Sequence, residues 1–252
     1  APAIKAGRRT SPIDDLNLAR AFPGDPDGTP TRQIAHYVAR ELLPRADFVL
    51  DLHAGGSSLE IMTVALLRRH EDMDLDARNE AAMRSFGAPM ALAGASSEQR
   101  TLIAAAAKQS KVAFAVELGR AGSVSPAALT IARAGLVGFL AHTGIMPGGV
   151  TPYMGPLWHV AGKDAFVYAP ADGVFEPIHA LGDNVAAGQL AGCIHDLSRP
   201  AESPTPVRFG LGGLMFARRA PGIVAAGNCL VSTGCFPAGC SLFQSINESE
   251  TG

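Results

Sequence analysis

The sequence predicts an α/β protein: a mostly parallel sheet flanked by helices, followed by a small all-β module. Three observations carry this. Over the first 150 residues, short apolar runs that suit buried strands alternate with segments of helical period, the pattern of a parallel sheet covered on both faces. Near Pro147 the composition shifts, and beyond it short strand-like pieces are punctuated by glycine with no long amphipathic segment. The 252 residues are 47% hydrophobic and 17% charged, enough for one large domain or two modest ones and too apolar for a disordered chain.

Residues 1–29 are turn-rich, with Pro, Asp and Gly spread through RRTSPIDD and FPGDPDGTP. Thr29-Pro30 has the form of an N-cap followed by proline in the first turn of a helix. Ile34, Val38 and Leu42 then recur on one face until Pro44 stops the run. A buried strand is expected in DFVLDL, 47–52, emptying into the glycine loop His53-Ala54-Gly55-Gly56. A second strand is expected over 59–66, a helix over 75–86 and a brief strand over 89–92. KVAFAV, 111–116, is another buried strand and ends in Glu117-Leu118-Gly119. Ser125-Pro126 opens the last helix, closed by Gly144. The expected division is 1–150 for the α/β part, 151–240 for the β module and 241–252 for a loose tail.

Charge and cysteine content exclude several classes. Twenty-one basic against 23 acidic residues leave a net charge of −2 and no basic footprint for nucleic acid. The longest uncharged stretches, 134–162 and 220–247, are broken by Gly and Pro and offer no membrane span. Cys193, Cys229, Cys235 and Cys240 form no CxxC pair and read as reduced thiols of a cytoplasmic protein, with a disulfide among the last three as the alternative. Low charge on a hydrophobic, Gly-rich surface points to a homo-oligomer.

His53 and Glu117 both stand at carboxyl ends of strands, where open α/β sheets place their binding crevice. Asp51, two residues before His53, shares its strand face. A carboxylate beside an imidazole fixes its tautomer and raises its basicity, as around a metal-binding histidine. The competing reading is a core histidine satisfied by a carbonyl. Glu117 ends a run that is otherwise apolar after Lys111, so it is either a proton-transferring acid of raised pKa or the partner of an arginine such as Arg120. Arg8, Arg9 and Arg20 are either forks for a bound carboxylate or solvated loop charges.

Taken in order, NLAR-AFPGD (17–25), DLHAGG (51–56), VELG (116–119) and the Gly-punctuated β module resemble the succinylglutamate desuccinylase/aspartoacylase family. Within it, SPIDDLNLARAFPGD and FAVELGRAGSVSP look most like the branch of N-acetyl-diaminobutyrate deacetylases. The resemblance implies a carboxypeptidase-like α/β fold, a bound Zn2+ and hydrolysis of a small N-acyl amino acid. It also implies roles: His53 as a zinc ligand, Glu117 as the general base and Arg20 as the holder of the substrate carboxylate. Arg9 would stabilise the carbonyl oxyanion, with Arg8 competing for that register. Ala19 stands where the family pairs an Asn with that arginine. The family's first two zinc ligands come from an upstream H-x-x-E, and no histidine here is followed three residues later by Glu. Either those ligands belong to a further part of the gene product, or the chain is a metal-free, non-catalytic binder of small anions. The β module resembles a lipoyl-type barrel, but its CIHDLSRP hairpin has no lysine to carry a prosthetic group.

Overall fold

The computed structural model describes residues 2–94, 98–119, 122–149 and 151–236; the expected tail at 241–252, Arg120 and Cys240 lie outside them. The helices are α1 (Pro2–Lys5), α2 (Pro30–Tyr37), α3 (Met73–Ser85), α4 (Leu102–Ala107) and α5 (Pro126–His142). None of the described helices is long and apolar enough to cross a membrane.

The first six strands are β1 (Phe48–His53), β2 (Leu59–Ile61), β3 (Val64–Arg68), β4 (Ala91–Gly94), β5 (Val112–Glu117) and β6 (Leu157–Val160). Five of them form one sheet in the order β1-β5-β3-β4-β6. The pairs β1–β5, β3–β4 and β4–β6 are parallel, and only β3–β5 is antiparallel. The single strand expected over 59–66 is therefore two strands in different sheets. No Gly, Pro, Asn or Asp falls between the two pieces, so no turn residue marks the break at Met62-Thr63.

The sheet is buried on two faces, and the period of two along each strand decides what meets what. On one face Phe114, Val116, Ala65, Leu67, Ala91 and Ala93 pack against Leu75, Met83 and Phe86 of the α3 region and Phe139 of α5. Phe114 sits at the centre, edge-on to Phe86 and Phe139 at 6.2 and 5.1 Å. The amide of Asn79 on α3 ties the layers: its Oδ1 accepts the Ala113 N–H at 2.9 Å in a buried position.

The other face has two covers. At its helical end Val49 and Ala113 lie under α2, α4 and the turns between them. The residues that do this are Ala35, Ala39 and Leu43, with Thr31 also buried; of the expected Ile34, Val38 and Leu42, Val38 packs against this cluster while Ile34 and Leu42 are exposed. Ile34 is 53% exposed. Alanines let the helix lie close on the sheet, which bulk-weighted reading misses. Thr29 is not the side-chain cap of α2; the carboxylate of Asp14 accepts the Thr31 N–H and Oγ1–H at 2.9 and 2.8 Å instead. Those two bonds pin the entry segment, which carries the arginines, to the first turn of the helix.

The second cover is the β module, with β7 (Phe166–Tyr168), β8 (Gly173–Pro177), β9 (Asn184–Val185), β10 (Leu190–His195), β11 (Thr205–Arg208), β12 (Gly213–Arg219), β13 (Ile223–Val224) and β14 (Cys229–Gly234). Two antiparallel sheets, β11-β10-β8-β13 and β2-β12-β14-β7, enclose a core that includes Phe175, Ile194, Phe209, Met215 and Leu230. Cys193 and Cys229 are free thiols, whereas Cys235 is disulfide-bonded, a correction to the reading of four reduced thiols that spacing alone could not make. The chain crosses the expected division at 150 twice. β2 leaves the α/β part to pair with β12, fixed by an Arg218 Nη2–H donated to Glu60 at 2.8 Å, and β6 returns to the first sheet. Val64, Met90 and Leu92 meet Phe216 and Ala217 across this junction.

Candidate active site

Between the helical cover and the β module, the middle of that second sheet face is left open. Asp51 and His53 of β1, Ala115 and Glu117 of β5, and Leu66 and Arg68 of β3 share this face by register. They line a cavity of about 540 Å3 that is roofed by Phe166, Phe216, Ala217 and Ser232 of the β module and walled by Gly55, Gly56 and Leu59. Gly55 has to be glycine, because a Cβ there would lie 1.9 Å from the Leu59 carbonyl oxygen. The glycine loop can fold back over the strand ends only without that atom.

His53 and Glu117 are register partners on the parallel pair β1–β5, which puts their backbones about 4.8 Å apart. His53 Nε2–H donates to Asp51 Oδ2 at 2.8 Å. With Nε2 the donor, Nδ1 keeps its lone pair for another partner. The hydrogen bond to Asp51 raises the imidazole pKa, and burial opposes it. Glu117 is in the opposite condition. Burial pushes its carboxyl above the ordinary range, and the charges of His53, Arg9 and Arg20 pull it back. Its Oε2 is buried with no hydrogen-bond partner. A carboxyl oxygen held this way is competent to take and return a proton, and it lacks the partner a purely structural acid would have.

Arg9, Arg20, Asn17 and Ala19 come to the same cavity from the turn-rich entry segment. Arg8 does not: it turns away to Asp15 at 2.7 Å, so the two neighbours that sequence left in competition occupy different environments. Arg20 Nη1–H donates to the Ala19 carbonyl at 2.8 Å, and its Nε stands 3.8 Å from Glu98 Oε2. Two lining residues were missed in the sequence. Asn17 caps its own short turn through Oδ1 to the Ala19 N–H and adds an amide beside Arg20. Arg68 continues the alternation Val64-Leu66-Arg68, a signal readable only once the start of β3 is known.

The catalytic-domain model of the succinylglutamate desuccinylase/aspartoacylase family matches residues 1–143. The chain belongs to that family. It is 38% identical over 232 residues to the N-alpha-acetyl-L-2,4-diaminobutyric acid deacetylase of Halomonas elongata, covering 91% of this chain and 68% of the relative. Among solved structures of the family it superposes with a TM-score of 0.89 on the product-bound ectoine utilization protein EutE (DoeB) of Ruegeria pomeroyi, at 38% identity and covering 93% of this chain and 72% of that one. A succinylglutamate desuccinylase/aspartoacylase of Rhodobacter sphaeroides gives a TM-score of 0.87 at 30% identity, again over 93% and 72%. The mixed α/β sheet with its antiparallel module is thus the family fold.

The zinc that the family resemblance implies can be tested against the donor set. A catalytic zinc takes three protein ligands and an open position. Among the described residues no three His, Cys, Asp or Glu side chains gather closely enough to hold a metal. His53 offers one imidazole nitrogen, Asp51 is engaged with that imidazole, and Glu117 is the neighbouring acid. The residues present do not by themselves fit a catalytic zinc.

Proposed function

We propose that this chain forms the larger part of a hydrolase that cleaves the amide bond of a small N-acyl amino acid. The observation that carries the reading is the buried, unpartnered Glu117 carboxyl beside the Asp51-held His53, in one cavity with Arg9 and Arg20. In the proposed reaction Glu117 takes a proton from water as the water oxygen bonds to the acyl carbon, then returns it to the amine nitrogen as the C–N bond breaks. The products are a carboxylic acid and the free amino acid. Arg9 faces the carbonyl oxygen as negative charge develops there, and Arg20 holds the substrate carboxylate.

Zinc dependence is part of the proposal. His53 would be one ligand and the other two would come from a segment outside these 252 residues. Two features support such a segment. The relatives are matched over 68% and 72% of their lengths. The outer edge of β1 has no strand partner among the described residues, and Leu52 on it is 48% exposed, an open border of the kind proteins ordinarily cover.

A metal-free anion-binding protein is the second reading, favoured by the incomplete ligand set. The test is expression from the longest reading frame containing this sequence, followed by metal content and acetate release from N-acetyl-L-2,4-diaminobutyrate. Release that requires Glu117 and a stoichiometric metal is the expected result. A metal-replete protein that cleaves no N-acyl amino acid overturns the hydrolase reading in favour of the binder.

A further inference from the structure

Arg68, the last residue of β3, lines the cavity but has no part in the reaction proposed above. It stands opposite Gly94 of β4, where an added Cβ would meet no described atom within 4 Å. The side chain is half-buried, and its Nη1–H donates to the main-chain carbonyl of Glu98 at 3.3 Å. No described acid lies within ion-pair distance of it.

The same residue, Glu98, organises two further arginines. Its carboxylate stands 3.8 Å from Arg20 Nε and 3.3 Å from Arg100 Nε, and it also accepts the Arg100 backbone N–H at 2.9 Å. Among the described residues the Glu98 carboxylate faces the guanidinium groups of Arg20 and Arg100, while Arg68 meets a neutral carbonyl. A half-buried cation with most of its donors unspent, on the wall of an open cavity, is a place for an anion. Its planar fork suits a carboxylate.

We infer that Arg68 is a further substrate-binding residue, closing with Arg20 on an anionic group of the bound molecule from the β3 side of the cavity. The inference rests on the reading of this cavity as a substrate site. It deepens that reading by assigning two guanidinium groups, from distant parts of the chain, to the charged end of the substrate. A merely structural Arg68 would tether Glu98 and be indifferent to the ligand's charge.

Calorimetric titration of the protein expressed from the longest reading frame containing this sequence, kept metal-free so that nothing is cleaved, separates these roles, using N-acetyl-L-2,4-diaminobutyrate, its α-carboxamide and inorganic sulfate as probes. Wild type is expected to prefer the acid to the amide and to bind sulfate. In Arg68→Met both the preference and sulfate affinity should fall about tenfold or more, the loss of a charge-assisted hydrogen bond. Arg68→Lys, which keeps the charge without the fork, should lie between. Thermal melts of both variants close to wild type establish that the fold survives. If sulfate binds in an Arg68-dependent way and the N-acyl compounds do not, the anion site stands and the N-acyl amino acid reading falls. If Arg68→Met leaves the acid-to-amide ratio and sulfate affinity unchanged, or if wild type binds no anion, the inference is overturned.

Discussion

His53 and Glu117 are neighbours across the β1–β5 ladder, and their polar atoms are treated in opposite ways: the imidazole is held by Asp51, whereas Glu117 Oε2 is buried with no partner. Folding therefore raises the Glu117 pKa, chiefly through burial. The sign of the stability effect follows from proton binding. From pH about 4.5, the ordinary value for this acid, up to its raised folded-state value, the folded chain holds a proton that the unfolded chain has released. Stability from this group is present below that window and is lost as pH rises through it. Glu117→Gln should therefore gain in stability relative to wild type as pH rises through the window, while deacylation falls by about 10²–10⁴-fold. Urea denaturation of the metal-free 252-residue chain at a series of pH values reads the first effect. A difference between variant and wild type that is flat with pH contradicts it.

Asp51→Asn should keep the shape of the site and loosen the imidazole. With the carboxylate gone, the largest influence raising the His53 pKa is removed, so its titration, followed by NMR, moves down. Under the proposed hydrolase reading, activity of the protein expressed from the longest reading frame should drop about 10–100-fold, the usual effect of removing the partner that orients a functional histidine.

Arg9 and Arg8 offer an internal control. Arg9 lines the cavity, and Arg8 is paired with exposed Asp15. Arg9→Ala should lower kcat by about 10²–10³-fold, as for loss of an oxyanion donor. Arg8→Ala should leave it near wild type. Equal losses in both would show that Arg9 has no special position.

The layer behind the site sets a stability expectation. A Cβ at Gly135 of α5 would lie 2.4 Å from the Phe86 ring, which is itself fully buried. Gly135→Ala should cost about 1–3 kcal/mol through overpacking, although alanine is the better helix former by about 1 kcal/mol. Phe114→Ala should cost about 3–5 kcal/mol. Equilibrium denaturation measures both, and a stabilised Gly135→Ala would show that α5 can lift without penalty.

Much of this architecture was legible in the chain. The strand at 47–52 and the strand at 111–116 are marked by their apolar runs; Glu117 stands out because nothing back to Lys111 is polar, and His53 because it follows Asp51 on one strand face and leads into a glycine loop. The face of α2 was not legible, because alanine carries too little hydrophobic signal to outweigh Ile34 and Leu42. Nor was the split of 59–66, where two strands bound for different sheets follow one another with no turn residue between. Arg68 was hidden by the same ambiguity: a strand whose start is misplaced gives no reliable face. Asn17 is not legible as a lining residue because no periodicity links it to Arg20; the short turn Leu18–Arg20 brings both to the same wall.

The three residues of β2 carry a consequence for how the molecule is made. They are hydrogen-bonded to β12, and Glu60 is tied to Arg218, 158 positions later. A ribosome has to deliver the residues through β12 before that strand finds its neighbours and the cavity gains its roof. Contacts this distant close late and slowly. Nascent chains that stop short of β12 would expose Val64 and Leu92 where Phe216 and Ala217 belong, an apolar surface of the kind that makes incomplete chains prone to associate.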